Sequence, residues 1–230
     1  PVLHAAQRER AMIVGLGGAH STAVVLGGPW SQVDVVELEG AIVDAARFLY
    51  ESRSWPFPLD DPRTNLIVDD ARAQLVLAPE GTYDAIVSQP SHPWLAGSSA
   101  LYTREFFHEA KAALRTGGVR MDGVHLQRIV GTLRGVFEHV HAYMCEDSSF
   151  ILAASDTPIS YGSRFMDRLD EDGSRTFLRP FGLDDIVDYA SVIELDNQGT
   201  LAFGADAEDL VDDRPALEFA LARIPQADGL

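Results

Sequence analysis

Cysteine is almost absent. The 230-residue chain has one, Cys145, which excludes an intrachain disulfide and gives no sign of an oxidising compartment. Long apolar runs are missing too. None approaches the ~18 residues of a membrane span, and no signal peptide is visible. Positive charge is scarce: 18 Lys and Arg stand against 35 Asp and Glu, for a net charge of -17 and a pI near 4.6. So acidic a surface repels nucleic-acid phosphates and anionic lipid, which argues against a nucleic-acid binder. Cationic ligands would be tolerated or attracted. Internal repeats and low-complexity tracts are absent as well. The chain opens on Pro1 rather than Met, which fits a fragment or a processed chain. Any membrane attachment would lie in a segment outside it.

What is present is an ordinary globular composition, 46% hydrophobic and 23% charged, long enough for one α/β domain with an appendage. Arg10 to Val14 reads as a strand, followed by a glycine turn and a helix over Ser21 to Leu26. Val33 to Glu37 is a second strand and Ala41 to Tyr50 has helical spacing. Trp55 to Pro62 is a loop stiffened by three prolines. Leu66 to Val68 and Ala85 to Val87 are strands three and four, with a weak helix between them. Glu105 to Leu114 reads as a helix capped by Gly117-Gly118. Val119 to Val124, Val140 to Met144 and Phe150 to Ala154 supply further strands, the last two as a hairpin, and Leu126 to Phe137 a helix. This order predicts a mostly parallel, seven-stranded, Rossmann-like sheet of the methyltransferase type with an antiparallel edge. Residues 1–155 would form the nucleoside-binding domain. Residues 156–230 would be an acidic extension packed on it, with one short helix over Gly182 to Tyr189.

Three features point to a ligand. Gly15 and Gly17 lie in the turn between the first strand and helix, where glycine lets backbone approach a ligand. Glu37 ends the second strand, where a carboxylate can accept from ribose hydroxyls. Asp70 ends the third, within reach of an adenine amino group. Together they suggest a nucleoside without a pyrophosphate, such as S-adenosylmethionine. The plainer alternative is that Glu37 and Asp70 only keep strand ends solvated.

Six ordered blocks carry a family resemblance: Gly15 to Gly18, Val33 to Glu39, Val68 to Arg72, Tyr83 to Val87, Pro93 to Gly97 and Leu101 to Phe107. Together they resemble the spermidine synthase (polyamine aminopropyltransferase) family, and most of all the bacterial branch whose soluble domain follows a membrane segment. Val211 to Glu218 resembles the end of that domain. The resemblance implies aminopropyl transfer from decarboxylated S-adenosylmethionine to an amine such as putrescine, without a metal, in the cytoplasm. It implies that Gly15 and Gly17 line the thioether nucleoside, Glu37 the ribose, and Asp70 with Ala71 the adenine. A homodimer is implied on the same ground.

The chain departs from the family where the chemistry sits. The family's two catalytic-loop aspartates fall on Gln89 and His92, and its glycine-loop acid, which grips the amino group of the nucleoside's side chain, falls on Gly18. Gln89 can accept a hydrogen bond but cannot take a proton. His92 could act as a base near neutral pH. Trp94 and Tyr102 are candidate substrate contacts, although an aromatic that begins a core-facing helix often only packs. His139 and His141 share a strand face, but no third metal ligand is evident. Two other readings stay open: a methyltransferase using intact S-adenosylmethionine, and an inactive nucleoside-binding or interaction domain.

Overall fold

The computed structural model describes residues 3–89, 97–123, 127–144, 150–171, 179, 183, 185–213 and 217. The first half alternates strand and helix: β1 (Arg10–Val14), α1 (His20–Leu26), β2 (Gln32–Glu37), α2 (Gly40–Ser52), β3 (Thr64–Val68), α3 (Ala71–Leu77), β4 (Tyr83–Ser88), α4 (Arg104–Ala113) and β5 (Leu114–Gly123). A 3-10 turn over Ser98–Tyr102 leads into α4. After α5 (Gln127–Val136) come β6 (His139–Met144) and β7 (Phe150–Ser155), then α6 (Ser163–Leu169), α7 (Ile186–Ser191), β8 (Ile193–Leu195) and α8 (Asn197–Gly204).

All eight strands join one sheet in the order β3-β2-β1-β4-β5-β7-β6-β8. The first five are parallel; β7, β6 and β8 pair antiparallel. The expected methyltransferase-type fold is present, with eight strands among the described residues rather than seven. The addition is β8, three residues whose pairing to β6 is made by the tertiary structure. Helices α6 and α8 were likewise not legible, being short and mixed in polarity. The expected glycine cap of α4 is also corrected. The helix ends at Ala113, and Gly117 and Gly118 lie inside β5, paired to β4 and β7 nearby.

Alternation along β1 shows why the sheet is central. Met12 and Val14 join one core cluster with Phe106, Phe107, Ile129 and Leu133, whereas Ala11 and Ile13 join another with Val25, Trp30 and Tyr50. A parallel strand buried on both faces reads as a continuous apolar run. A third cluster holds Leu3, Tyr143, Phe165, Leu169 and Tyr189. Helices α5 and α8 touch at Gly131 and Gly204; a Cβ on Gly131 would stand 3.0 Å from the Gly204 carbonyl oxygen.

Near the start of the strands, two buried aspartates are neutralised. Asp34 is 0% exposed and forms an ion pair with Arg10 at 2.7 Å. It also accepts from Gln32, Asn65 and Tyr83. Asp84 accepts from the amides of Glu9 and Arg10 and pairs with Arg115 at 2.9 Å. Buried charge is tolerated only when so compensated. No helix among the described residues is long and apolar enough to cross a membrane.

Candidate active site

The sheet order reverses between β1 and β4, and in open α/β sheets ligands bind at the strand carboxyl ends beside such a reversal. A crevice of about 620 Å³ lies there, bounded by the ends of β1 to β4 and the Ser98–Tyr102 turn. Gly15 and Gly17 have φ of 83° and 49°. A side chain at either would meet no atom within 4 Å, so backbone conformation requires glycine there and the space beside it stays open. Ala19 also has positive φ, 60°, directly before α1. Its fully buried methyl group packs in the core, which offsets part of that strain.

Glu37 holds the glycine loop. One carboxylate oxygen, Oε2, accepts from the Leu16 amide at 2.8 Å and the Gly17 amide at 3.4 Å. The other, Oε1, accepts from the Glu39 amide at 3.1 Å. A carboxylate offers about four acceptor sites, so three amides leave room for about one further donor, such as a ribose hydroxyl. Asp70 N-caps α3: Oδ1 accepts from the amides of Arg72 at 2.7 Å and Ala73 at 3.4 Å. Its Oδ2 has no donor among the described residues. Asp70 and Ala71 both line the crevice.

Gln89, just beyond β4, also lines it, and the Ser21 hydroxyl donates to Gln89 Oε1. Gly18 faces the His20 ring: a Cβ there would stand 2.9 Å from His20 Nδ1. Imidazole therefore occupies the ground a side chain at position 18 would need. His92 and Trp94 lie outside the described residues. Tyr102 is placed differently from the expectation of a substrate contact. It is 0% exposed, packs in the core with Phe106 and Phe107, and is not on the crevice wall, because the 3-10 turn points it inward. His141 Nδ1 lies 2.9 Å from the Tyr161 hydroxyl, and no group of three metal-ligating side chains occurs among the described residues.

Sequence reasoning missed part of the wall. Leu38, Glu39, Ile42, Asp69, Ser98 and Leu101 also line the crevice. Asp69 adjoins Asp70 and Glu39 lies two residues after Glu37, which was the available signal. The apolar members carried none, since a leucine in sequence reads as core. Four carboxylates, Glu37, Glu39, Asp69 and Asp70, thus face the crevice, and no Lys or Arg is among its described lining residues.

The sequence profile of the spermine/spermidine synthase domain matches residues 2–128. The chain belongs to this family. It is 32% identical over 120 residues to spermidine synthase 2 of Arabidopsis thaliana, covering 52% of this chain and 34% of that protein. It is 30% identical over 125 residues to the polyamine aminopropyltransferase of Korarchaeum cryptofilum, covering 53% and 38%. Putrescine N-methyltransferase 4 of Nicotiana tabacum is 32% identical over 115 residues, covering 48% and 28%. The chain thus spans well under half the length of these relatives. Among solved structures, the spermidine synthase of Thermotoga maritima superposes with a TM-score of 0.67 at 17% identity, covering 89% of this chain and 70% of that one. Human methyltransferase-like protein 13 gives a TM-score of 0.57 at 19% identity, covering 77% and 85%. These two likenesses bear on the fold alone.

Proposed function

We propose that the chain is a spermidine-synthase-like transferase domain whose crevice binds a sulfur-bearing adenosine, decarboxylated S-adenosylmethionine or S-adenosylmethionine. The observation that carries this reading is the crevice of four carboxylates with no cation among its described lining residues, behind a glycine loop held by Glu37. A phosphate-bearing dinucleotide would be repelled there, whereas a sulfonium nucleoside and an amine would be drawn in. Glu37 then accepts a hydrogen bond from a ribose hydroxyl at its remaining acceptor site, and Asp70 Oδ2 accepts one from the adenine amino group.

The transfer is an in-line displacement. The amine lone pair forms the new N–C bond as the C–S bond breaks. The bonding pair goes to sulfur and leaves neutral methylthioadenosine. The ammonium product loses a proton to His92 or to water. Gln89, held by Ser21, orients the amine through its side-chain amide and takes no proton. Residues 156–230 serve as an extension packed on the same domain, and a cytoplasmic setting suits this chemistry.

Titration calorimetry with S-adenosylmethionine, its decarboxylated form and methylthioadenosine tests the reading. Binding of at least one is expected, and no binding of any would defeat it. A second reading, methyl transfer from intact S-adenosylmethionine, is favoured by the missing acid at Gly18 and by the likeness to the tobacco N-methyltransferase. The nucleoside product decides: methylthioadenosine for aminopropyl transfer, S-adenosylhomocysteine for methyl transfer. Binding without turnover on putrescine or spermidine would identify an inactive nucleoside-binding domain.

A further inference from the structure

The C-terminal block that begins at Val211 has no part in the chemistry above, yet the fold ties it to the crevice wall. Residues Glu208 to Asp213 run as a strap over α4 and α5. Leu210 is 2% exposed and anchors the strap in the core. Its amide donates to Thr132 Oγ1 at 2.9 Å, and its carbonyl accepts from the Arg104 amide at 2.8 Å. Asp209 pairs with Arg104, and Glu208 with Arg128. Asp212 then reaches Arg72, accepting from Nη1 and Nη2 at 3.0 Å each, and accepts from Thr103 Oγ1 at 2.7 Å.

Arg72 stands where two walls of the crevice meet. Its amide donates to Asp70 Oδ1, and it follows Ala71 directly. Its guanidinium also grips Glu109 at 2.9 and 2.6 Å and lies 3.5 Å from the Ala100 carbonyl. Ala100 belongs to the 3-10 turn that supplies Ser98 and Leu101 to the crevice. A guanidinium is a planar fork, so carboxylates on two edges fix its plane as well as its place.

We propose that Asp212 is a positioning residue: by clamping Arg72 between the start of α3 and the Ser98–Tyr102 turn, it sets the spacing of the nucleoside crevice. This rests on the nucleoside reading given above. The physical reason is that both walls are short segments whose relative position depends on the side chains between them.

The test uses Asp212→Asn, Arg72→Gln, their combination, and Glu208→Gln as a control on the same strap. Methylthioadenosine affinity is measured by calorimetry, and amide hydrogen exchange is followed over residues 97–104. Asp212→Asn is expected to weaken binding by about tenfold, the scale of a lost charge-assisted hydrogen bond. It should also speed exchange over 97–104, while Glu208→Gln changes neither. In the Arg72→Gln background, Asp212→Asn should add nothing. Wild-type affinity and exchange in Asp212→Asn, or full additivity with Arg72→Gln, would overturn the proposal. If the wild-type chain binds no nucleoside, the nucleoside reading fails by itself and the exchange data decide the strap. Faster exchange in Asp212→Asn but not in Glu208→Gln then supports it, and equal exchange refutes it.

Discussion

The two ends of the parallel strands carry acids in opposite conditions. Near their start, Asp34 and Asp84 are buried and matched by Arg10 and Arg115. At their far end, Glu37, Glu39, Asp69 and Asp70 face a crevice whose described lining includes no cation. The first pair locks neighbouring strands together, since Asp34 on β2 ties down Arg10 on β1, Asn65 on β3 and Tyr83 on β4. The second group keeps acceptor sites in hand. Acids that build the fold are saturated from within the chain; acids left partly unsaturated beside open space are available to a ligand.

The largest expected effect sits at the saturated end. Asp34→Ala removes the partner of Arg10 and orphans three further donors, and it should cost about 3 kcal/mol in urea unfolding. Nucleoside affinity, measured on the folded fraction, should hardly change. A loss confined to affinity would erase the distinction between the two ends. Glu37→Gln is the converse. It keeps side-chain size but loses the charge that accepts from three amides and that, on the nucleoside reading, would accept from a ribose hydroxyl. Affinity for methylthioadenosine should fall by about 10- to 100-fold, as for charge-assisted bonds, with a stability loss nearer 1 kcal/mol.

The third effect extends the comparison to a base. His4 is half-buried, its ring packed against Tyr143, Tyr161, Phe165 and Tyr189. Burial, aided by nearby positive charge, pushes it down from 6.5 to about 3. The unfolded chain therefore takes up a proton that the folded chain refuses. Stability contributed by neutral His4 is complete above pH 6.5 and is lost as pH falls from 6.5 toward 3. Between pH 7 and 5 the wild-type chain should lose about 2 kcal/mol more than His4→Gln, read from unfolding curves across that range. Parallel pH curves for the two proteins would mean that His4 gains its proton without unfolding.

Much of the fold was legible because its signals are local. Continuous apolar runs such as Ala85-Ile86-Val87 announce strands buried on both faces, and the glycine turn before α1 marks the first crossover. Gly117-Gly118 misled for the same reason. A glycine pair looks like a helix cap locally, and only the pairing of the flanking Leu114 and Val119 with β4 shows that the chain runs through it as strand. Strand β8 was invisible because three residues carry no period. In the site, Gly15, Gly17, Glu37, Asp70, Ala71 and Gln89 do line one crevice. Tyr102 goes to the core, because a side chain's direction on a 3-10 turn is set by what it packs against.

From the amino-acid order alone came the alternation of strand and helix, the acidic balance, and the family to which the blocks belong, since each depends on residues close in the chain. Only the folded chain decided how Glu37 divides its acceptors between loop and crevice, that His20 fills the ground beside Gly18, and that Asp212 grips Arg72 from 140 positions away. Hydrogen bonds and ion pairs depend on distance in space, and sequence separation does not record it.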